Sequence, residues 1–380
     1  MRPAFRLSAL GVAAALFVAA CGGGGTTAPS QPASVAPSTA PSAAPSAEAD
    51  ICTDPPKAAG TTLTFASYGG AYQKAQRDGW LTPYTAATGV AFQESEDSSN
   101  ATIKSQVENN AVEWDVVDVG NDFGLDANAA LLEPLDYTKI HEDEILEGFA
   151  GTYRVADITY GVVLAYNTDK TAGAVPAGWA DYFDTAKIPG KRGIYDYSAG
   201  GIFEIALMAD GVSPADFRPG GPAYPLDLDR ATAKLDTIKS DLVFWGSGAE
   251  SQDLIGKGET TMSLMWNGRA YSAKNIDNKP VEIQWNQQIV TADFFVVPKG
   301  TPHKDQAMDF IAWATCAQNN AAPSNEIPYG PTNKNSEPAA DKVADLSVSN
   351  ADANSAYFDD AWIVENAGPL EDAYQAWKTQ

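Results

Sequence analysis

Histidine and cysteine are scarce in this chain, with two His and three Cys in 380 residues. His141 and His303 stand alone, and no Cys or His spacing matches a zinc site. Basic charge is short as well: 25 Lys and Arg face 49 Asp and Glu, a formal net charge of −24. A chain this acidic is repelled by the phosphates of nucleic acid and of anionic lipids, so neither is an expected partner. Catalytic signatures are also missing. There is no Gly-x-Ser-x-Gly elbow. Gly256-Lys257-Gly258 lacks the upstream Gly and the following Ser or Thr of a phosphate loop. Two-carboxylate hydrolysis stays open, but among 49 acids such pairs arise by chance. No apolar run reaches the roughly 20 residues that span a bilayer. No segment repeats at a fixed period, which speaks against a surface adhesin or scaffold.

What is present begins at the N-terminus. Arg2 and Arg6 precede an apolar run from Leu7 to Ala20. Basic start, short apolar core and small-residue end are the marks of a signal peptide, residues 1–20. The run closes on Val18-Ala19-Ala20-Cys21, the pattern of a lipobox, so Cys21 is expected to carry lipid and anchor the chain to the outer face of a membrane. Residues 21–60 are rich in Gly, Ala, Pro and Ser and have little to bury, so they read as a disordered tether. Loss of Arg2 and Arg6 with the signal peptide makes the charge −26. About 320 residues remain from Gly60, enough for two lobes of ordinary size. Cys52 and Cys316 are left over. Outside the cell they either form a disulfide or remain two buried thiols.

The folded part alternates strands and helices. Thr61–Ser67 reads as a strand, Ala71–Thr88 as a helix with Tyr72, Ala75, Trp80 and Tyr84 on one side, and Val90–Glu94 as a strand. Thr102–Asn109 reads as a helix and Trp114–Val119 as a strand. That order and spacing imply βαβ units and a parallel sheet. Ligands in such sheets sit beyond the carboxyl ends of the strands, which singles out Ser67–Gly70 and Gly120–Asp122. Further strands are expected at Gly161–Asn167, Gly193–Asp196, Leu242–Trp245, Thr261–Trp266 and Thr291–Pro298, and an amphipathic helix at Asp305–Ala317.

Six motifs carry a family resemblance. They are Ser67-Tyr-Gly-Gly-Ala-Tyr-Gln73, Trp114-Asp-Val-Val-Asp-Val-Gly120, Leu131-Leu-Glu-Pro-Leu-Asp136, Met265-Trp-Asn-Gly-Arg269, Asp293-Phe-Phe-Val-Val-Pro298 and Tyr329-Gly-Pro-Thr-Asn333. In this order the chain resembles the extracellular solute-binding proteins of ABC importers, putrescine/spermidine type. The resemblance implies a two-lobed type II periplasmic-binding fold, α/β, with mainly parallel sheets flanked by helices and a hinge that closes on ligand. Lobe one would be 61–166 plus 294–340, lobe two 167–293, and 341–380 a helical tail. It implies binding rather than catalysis, no cofactor, a monomer, and permease subunits as partners. Members that bind ferric iron use clustered Tyr, a pattern not seen in this sequence.

The same resemblance nominates site residues. Asp293 stands where the family places an amine-binding Asp, with Asp118 as its rival. Tyr329 and Tyr68 match site aromatics. Polyamine receptors carry an Asp one residue after the Asn-Gly of the fourth motif, and this chain carries Arg269 there. A guanidinium cannot hold an ammonium group, but it clamps a carboxylate in bidentate fashion. The expected ligand therefore has both charges, an amine near Asp293 and an acid near Arg269: an amino acid-like compound, an opine or an aminoalkyl acid. A polyamine is the alternative, with Arg269 pairing a structural acid instead. Trp266 and Trp285 are further aromatic candidates, and Asn121 and Ser198 polar ones. Gly69-Gly70 and Ser198-Ala199-Gly200 each precede a helix, where backbone N–H groups can meet an anion.

Overall fold

A computed structural model describes residues 50–380. The expected signal peptide, Cys21 and the tether as far as residue 49 lie outside the described residues. Among the described residues no helix is long and apolar enough to cross a membrane.

The first third follows the alternation of its sequence. β1 (Thr62–Ala66) buries Leu63 and Phe65. It leads to α1 (Gly70–Gln76), which continues through a π-turn at Arg77–Leu81 into α2 (Thr82–Thr88). Tyr72, Ala75, Trp80 and Tyr84 are buried, as their shared side predicts. Gly89, at φ 80°, ends the helix in the left-handed conformation that favours glycine. β2 (Ala91–Ser95) follows, then α3 (Asn100–Glu108), whose first turn is capped by the Ser99 hydroxyl, then β3 (Val116–Val119).

Next comes β4 (Val155–Asn167), buried along all 13 residues. Its first half was not expected, because Asp157 and Thr159 interrupt the apolar run. After it come α4 (Trp179–Phe183), β5 (Arg192–Tyr195), α5 (Ile202–Ala209), α6 (Leu228–Asp236), β6 (Leu242–Trp245), α7 (Gly248–Gly256) and β7 (Met262–Trp266). The chain continues with α8 (Asn267–Tyr271), β8 (Val281–Val296), α9 (Lys304–Ala314), α10 (Ala317–Asn320), β9 (Gly330–Pro331), β10 (Ala356–Tyr357), α11 (Asp360–Glu365) and α12 (Ala367–Thr379).

One sheet holds the strands in the order β2-β1-β3-β8-β4-β7-β5-β6. Its flanks are parallel, β2-β1-β3 on one side and β7-β5-β6 on the other, as the βαβ spacing predicts. The middle is antiparallel, because β8 runs against β3 and β4, and β4 against β7. The registers place the site. Val119, the end of β3, lies opposite Phe294, and Phe294 opposite Ala156. Trp266, the end of β7, lies opposite Val162. The two parallel sets thus occupy different halves of the long strands. Their carboxyl ends point at the same stretch, Asp157–Gly161 of β4 and Val290–Asp293 of β8.

Apolar burial holds each side together. Phe65, Trp80, Phe295 and Phe310 pack edge to face with centroids 5.3–6.0 Å apart. A disulfide joins Cys52, just before β1, to Cys316, just after α9, with Cα atoms 5.7 Å apart. The C-terminal elements touch both sides of the sheet. Asp360 on α11 accepts from Arg154 (2.7 Å) and Asn121 (3.0 Å), and Trp377 on α12 donates to Asp236 on α6 (2.9 Å).

Candidate ligand-binding site

A cavity of about 70 Å³ lies at the carboxyl ends of β1, β3, β5 and β7. A single water needs roughly 10–15 Å³ of such space. There is room, then, for a handful of waters or a ligand of comparably few heavy atoms.

Six residues singled out in the sequence meet here: Tyr68, Asn121, Trp266, Arg269, Asp293 and Tyr329 all line the cavity. Tyr68 follows β1, Asn121 follows β3, Trp266 ends β7, Arg269 lies on α8 and Asp293 on β8. The aromatic walls brace one another. Tyr68 stacks on Tyr72 at 6.4 Å, Tyr72 meets Tyr329 edge-on at 5.1 Å, and Trp266 meets Tyr195 edge-on at 5.3 Å.

Three expected site residues lie elsewhere. The Ser198 hydroxyl donates to Glu371 on α12 (2.7 Å), so it is spent on the tail, and its neighbours Ala199 and Gly200 line the cavity instead. Trp285 sits where β8 loses register with β4, between Gln284 and Ile289, several residues beyond the stretch of β8 that meets the cavity. Gly69 borders the site but offers it no N–H. That group donates to its own helix, to Gln73 Oε1 (2.9 Å), while the Gly69 carbonyl accepts from Arg269 Nη2 (3.1 Å).

The negative side of the site is deeper than Asp293 alone. Asp118 on β3 faces Phe295, and Asp293 lies two residues along β8 from Phe295, so both carboxylates share one face of the sheet. Asp157 falls at a break of register between Ala156 and Ile158, a bulge that re-aims its side chain. All three are buried. Asp118 Oδ2 accepts from Gln76 (2.6 Å) and Ser67 (3.2 Å), and Asp157 Oδ2 from the Tyr72 hydroxyl (3.1 Å). The Oδ1 atoms of Asp118 and Asp157 have no partner among the described residues. No Lys or Arg pairs with any of the three among the described residues. Burial pushes Asp118 up to about 7, opposed by its hydrogen bonds to Gln76, Tyr72 and Ser67. Burial, then the charges of Asp118 and Asp157, holds Asp293 well above the usual carboxylate range. Asp157 is raised in the same way, by burial and then by Asp118.

Arg269 supplies the opposite charge. It is 2% exposed and makes no ion pair among the described residues. Its Nε is buried without a partner there. Arg192 is the internal contrast: it is also fully buried, but its guanidinium donates to the carbonyls of Tyr182 (2.6 Å) and Gly190 (2.7 Å). The alternative that Arg269 neutralises a structural acid therefore finds no such acid among the described residues. The backbone that carries Arg269 is held by Asn267. Its side chain accepts from the Gly161 N–H (2.9 Å) and donates to the carbonyls of Pro328 (2.8 Å) and Asp345 (3.1 Å).

Several lining residues were not foreseen. Tyr72 reads as core from its side of the helix, and Tyr160 lies on the part of β4 that was not expected. Tyr197, bonded across the cavity mouth to Asp122 of the singled-out Gly120–Asp122 segment, carried no motif. Phe358 reaches the cavity from the tail. Among the described residues no cluster of His, Cys, Asp or Glu could hold a metal ion.

Residues 79–349 match the family described as bacterial extracellular solute-binding protein. The gamma-aminobutyric acid-binding protein of Pseudomonas aeruginosa is 32% identical over 327 residues, 84% of this chain and 92% of that protein. The structure of the Atu4243 GABA receptor superposes with a TM-score of 0.75 at 39% identity, covering 84% of this chain and 98% of that one. The binding protein AgtB of A. tumefaciens R10, in complex with agropinic acid, superposes with a TM-score of 0.77 at 30% identity, covering 85% and 100%.

Proposed function

Given that this chain belongs to the bacterial extracellular solute-binding proteins, we propose that it is the receptor of an ABC importer for a short ω-amino acid such as 4-aminobutanoate. One observation carries the reading. Among the described residues, a buried guanidinium without an acidic partner, Arg269, and a buried carboxylate without a cation, Asp293, line the same small cavity. A zwitterion satisfies both at once. The amine lies against Asp293 and the aromatic faces, and the carboxylate takes two N–H donors of Arg269. Size sharpens the choice, since about 70 Å³ suits a few heavy atoms better than a sugar-derived opine or spermidine. Two of the relatives, both named for GABA, point the same way.

The sheet suggests how closure works. β4 and β8 cross between the expected lobes, 61–166 with 294–340 and 167–293, and act as the hinge, while Tyr197 and Asp122 meet across the mouth. The tail, 341–380, fastens both lobes through Asp360 and Trp377. Cys21 carries lipid and tethers the receptor beside its permease. Calorimetry with 4-aminobutanoate, agropinic acid, putrescine and spermidine tests the reading. It predicts the tightest binding for 4-aminobutanoate, with the ligand recovered chemically unchanged. Tight spermidine binding with none for 4-aminobutanoate would sink it.

A further inference from the structure

Two glycines form a slot around the Arg269 side chain. A Cβ on Gly70 would stand 2.9 Å from Nη1, and a Cβ on Gly248, the first residue of α7, 2.6 Å from Nε and 2.8 Å from Cζ3 of Trp266. Carbon and nitrogen in ordinary contact sit more than half an ångström further apart. Neither position therefore admits a side chain while the guanidinium stays where it is. The slot matters because little else fixes that group. It makes one hydrogen bond to the Gly69 carbonyl, and no carboxylate anchors it among the described residues. It also has somewhere else to go. On its far side Arg269 borders an outer cleft of about 510 Å³, whose walls include Glu250, Asp253 and Glu259 against a single Lys257. A guanidinium released from the slot is drawn towards those acids.

We infer that Gly248 is a specificity-determining position: the missing side chain keeps the Arg269 guanidinium facing the inner cavity, and so makes the receptor select ligands with an acidic end. This rests on the proposed zwitterion reading and extends it to a residue that touches no ligand. Gly248 is a positioning residue acting through Arg269. Of the two glycines it gives the cleaner test. Gly70 has φ +59°, where any substitution adds backbone strain, whereas Gly248 carries no positive φ and opens a helix, where alanine is favourable.

The test compares 4-aminobutanoate with 1-aminobutane, the same chain without the acid, by calorimetry. The proteins are the mature receptor and its variants Gly248→Ala, Gly246→Ala, Arg269→Ala and Gly248→Ala/Arg269→Ala. A Cβ on Gly246 meets nothing closer than Glu250 at 3.9 Å, so that variant is the control. The expected result is that Gly248→Ala lowers the affinity ratio of acid to amine by about tenfold or more, while Gly246→Ala leaves it unchanged. Any cost passing through Trp266 falls on both ligands and survives in the Arg269→Ala background. The cost passing through the guanidinium disappears there, which the double-mutant cycle reads directly. If Gly248→Ala alone fails to fold and the double variant folds, the collision is with Arg269, as inferred. An unchanged ratio in Gly248→Ala, with the ratio lost in Arg269→Ala, overturns the inference and leaves the zwitterion reading standing. If the wild type itself does not prefer 4-aminobutanoate to 1-aminobutane, both fall.

Discussion

Truncating Arg269 to alanine deletes a guanidinium that is 2% exposed and whose donors are mostly uncommitted. Of the five N–H donors an arginine carries, one is spent on the Gly69 carbonyl. The consequence divides cleanly between stability and binding. With no ion pair to break among the described residues, the fold loses one hydrogen bond to a charged group, about 1.5–3 kcal/mol. It also sheds the cost of holding an unpaired charge away from water, which offsets part of that loss. The melting temperature should move by only a few degrees. Binding loses more. A ligand carboxylate in a dry cavity that forfeits its paired guanidinium costs about 2–5 kcal/mol. A central value of about 3 kcal/mol is more than a hundredfold in Kd. Calorimetry should therefore show 4-aminobutanoate affinity falling by about two orders of magnitude in Arg269→Ala, with thermal unfolding almost unchanged. Arg269→Asp should abolish zwitterion binding and admit a diamine, because the acid that polyamine receptors carry at this position is then restored. A variant that binds 4-aminobutanoate within about threefold of wild type would refute the carboxylate clamp. So would a wild type that binds spermidine tightly and does not notice the loss of Arg269.

Asp293→Asn should weaken the same ligand by a smaller factor, about tenfold, because Tyr68, Trp266 and Tyr329 retain cation–π attraction for the ammonium; equal affinity in a titration would remove Asp293 from the site. The buried carboxylates predict a pH dependence. Asp118 is raised to about 7 when folded, so the native state holds a proton that the unfolded chain releases near pH 4. Its contribution is present below about pH 4 and is lost as pH rises towards 7. Chemical denaturation of wild type relative to Asp118→Asn, both without ligand, should show wild type losing ground across that window, and a flat difference would be the contrary result. The Cys52–Cys316 bridge closes a loop of 264 residues, for which chain entropy gives about 5 kcal/mol. Reduction should lower the melting temperature by several degrees or more, and an unchanged melt would show that the crosslink contributes nothing.

How much of this was legible depended on whether a residue's role is local. Tyr68 and Asn121 follow the ends of parallel strands, and a strand end can be read from alternation and a Gly or Asn stop. Arg269 stood out because it breaks a family pattern at a charge-critical position. Ser198 and Trp285 failed for a non-local reason. The Ser198 hydroxyl is claimed by Glu371, a residue 173 positions away on the last helix. Trp285 lies in a stretch of β8 whose register with β4 slips, and the sequence contains nothing that marks the slip. Gly69 failed on hydrogen-bond accounting, because its N–H was already spent on Gln73.

The central strands explain the remaining gap. A parallel sheet was foreseen from the βαβ spacing, and both flanks follow it. Gly161–Asn167 of β4 and Thr291–Val296 of β8 were foreseen, but the first parts of both strands escaped, because a long strand that passes by a binding cavity carries polar groups near it. Asp157 and Thr159 on β4 and Gln288 on β8 break the apolar pattern that marks a buried strand, and Asp293 is a buried charge within the part of β8 that was read. Of these, Asp293 lines the cavity, and Asp157 accepts from the hydroxyl of Tyr72, which lines it too. Apolar replacements there would restore the pattern and, because no polar group would then have to give up its water, lower the cost of burial. They would also remove the negative potential that an ammonium group needs. The broken pattern in the middle of β4 and β8 is therefore better read as the footprint of the cavity than as an irregularity of the sheet.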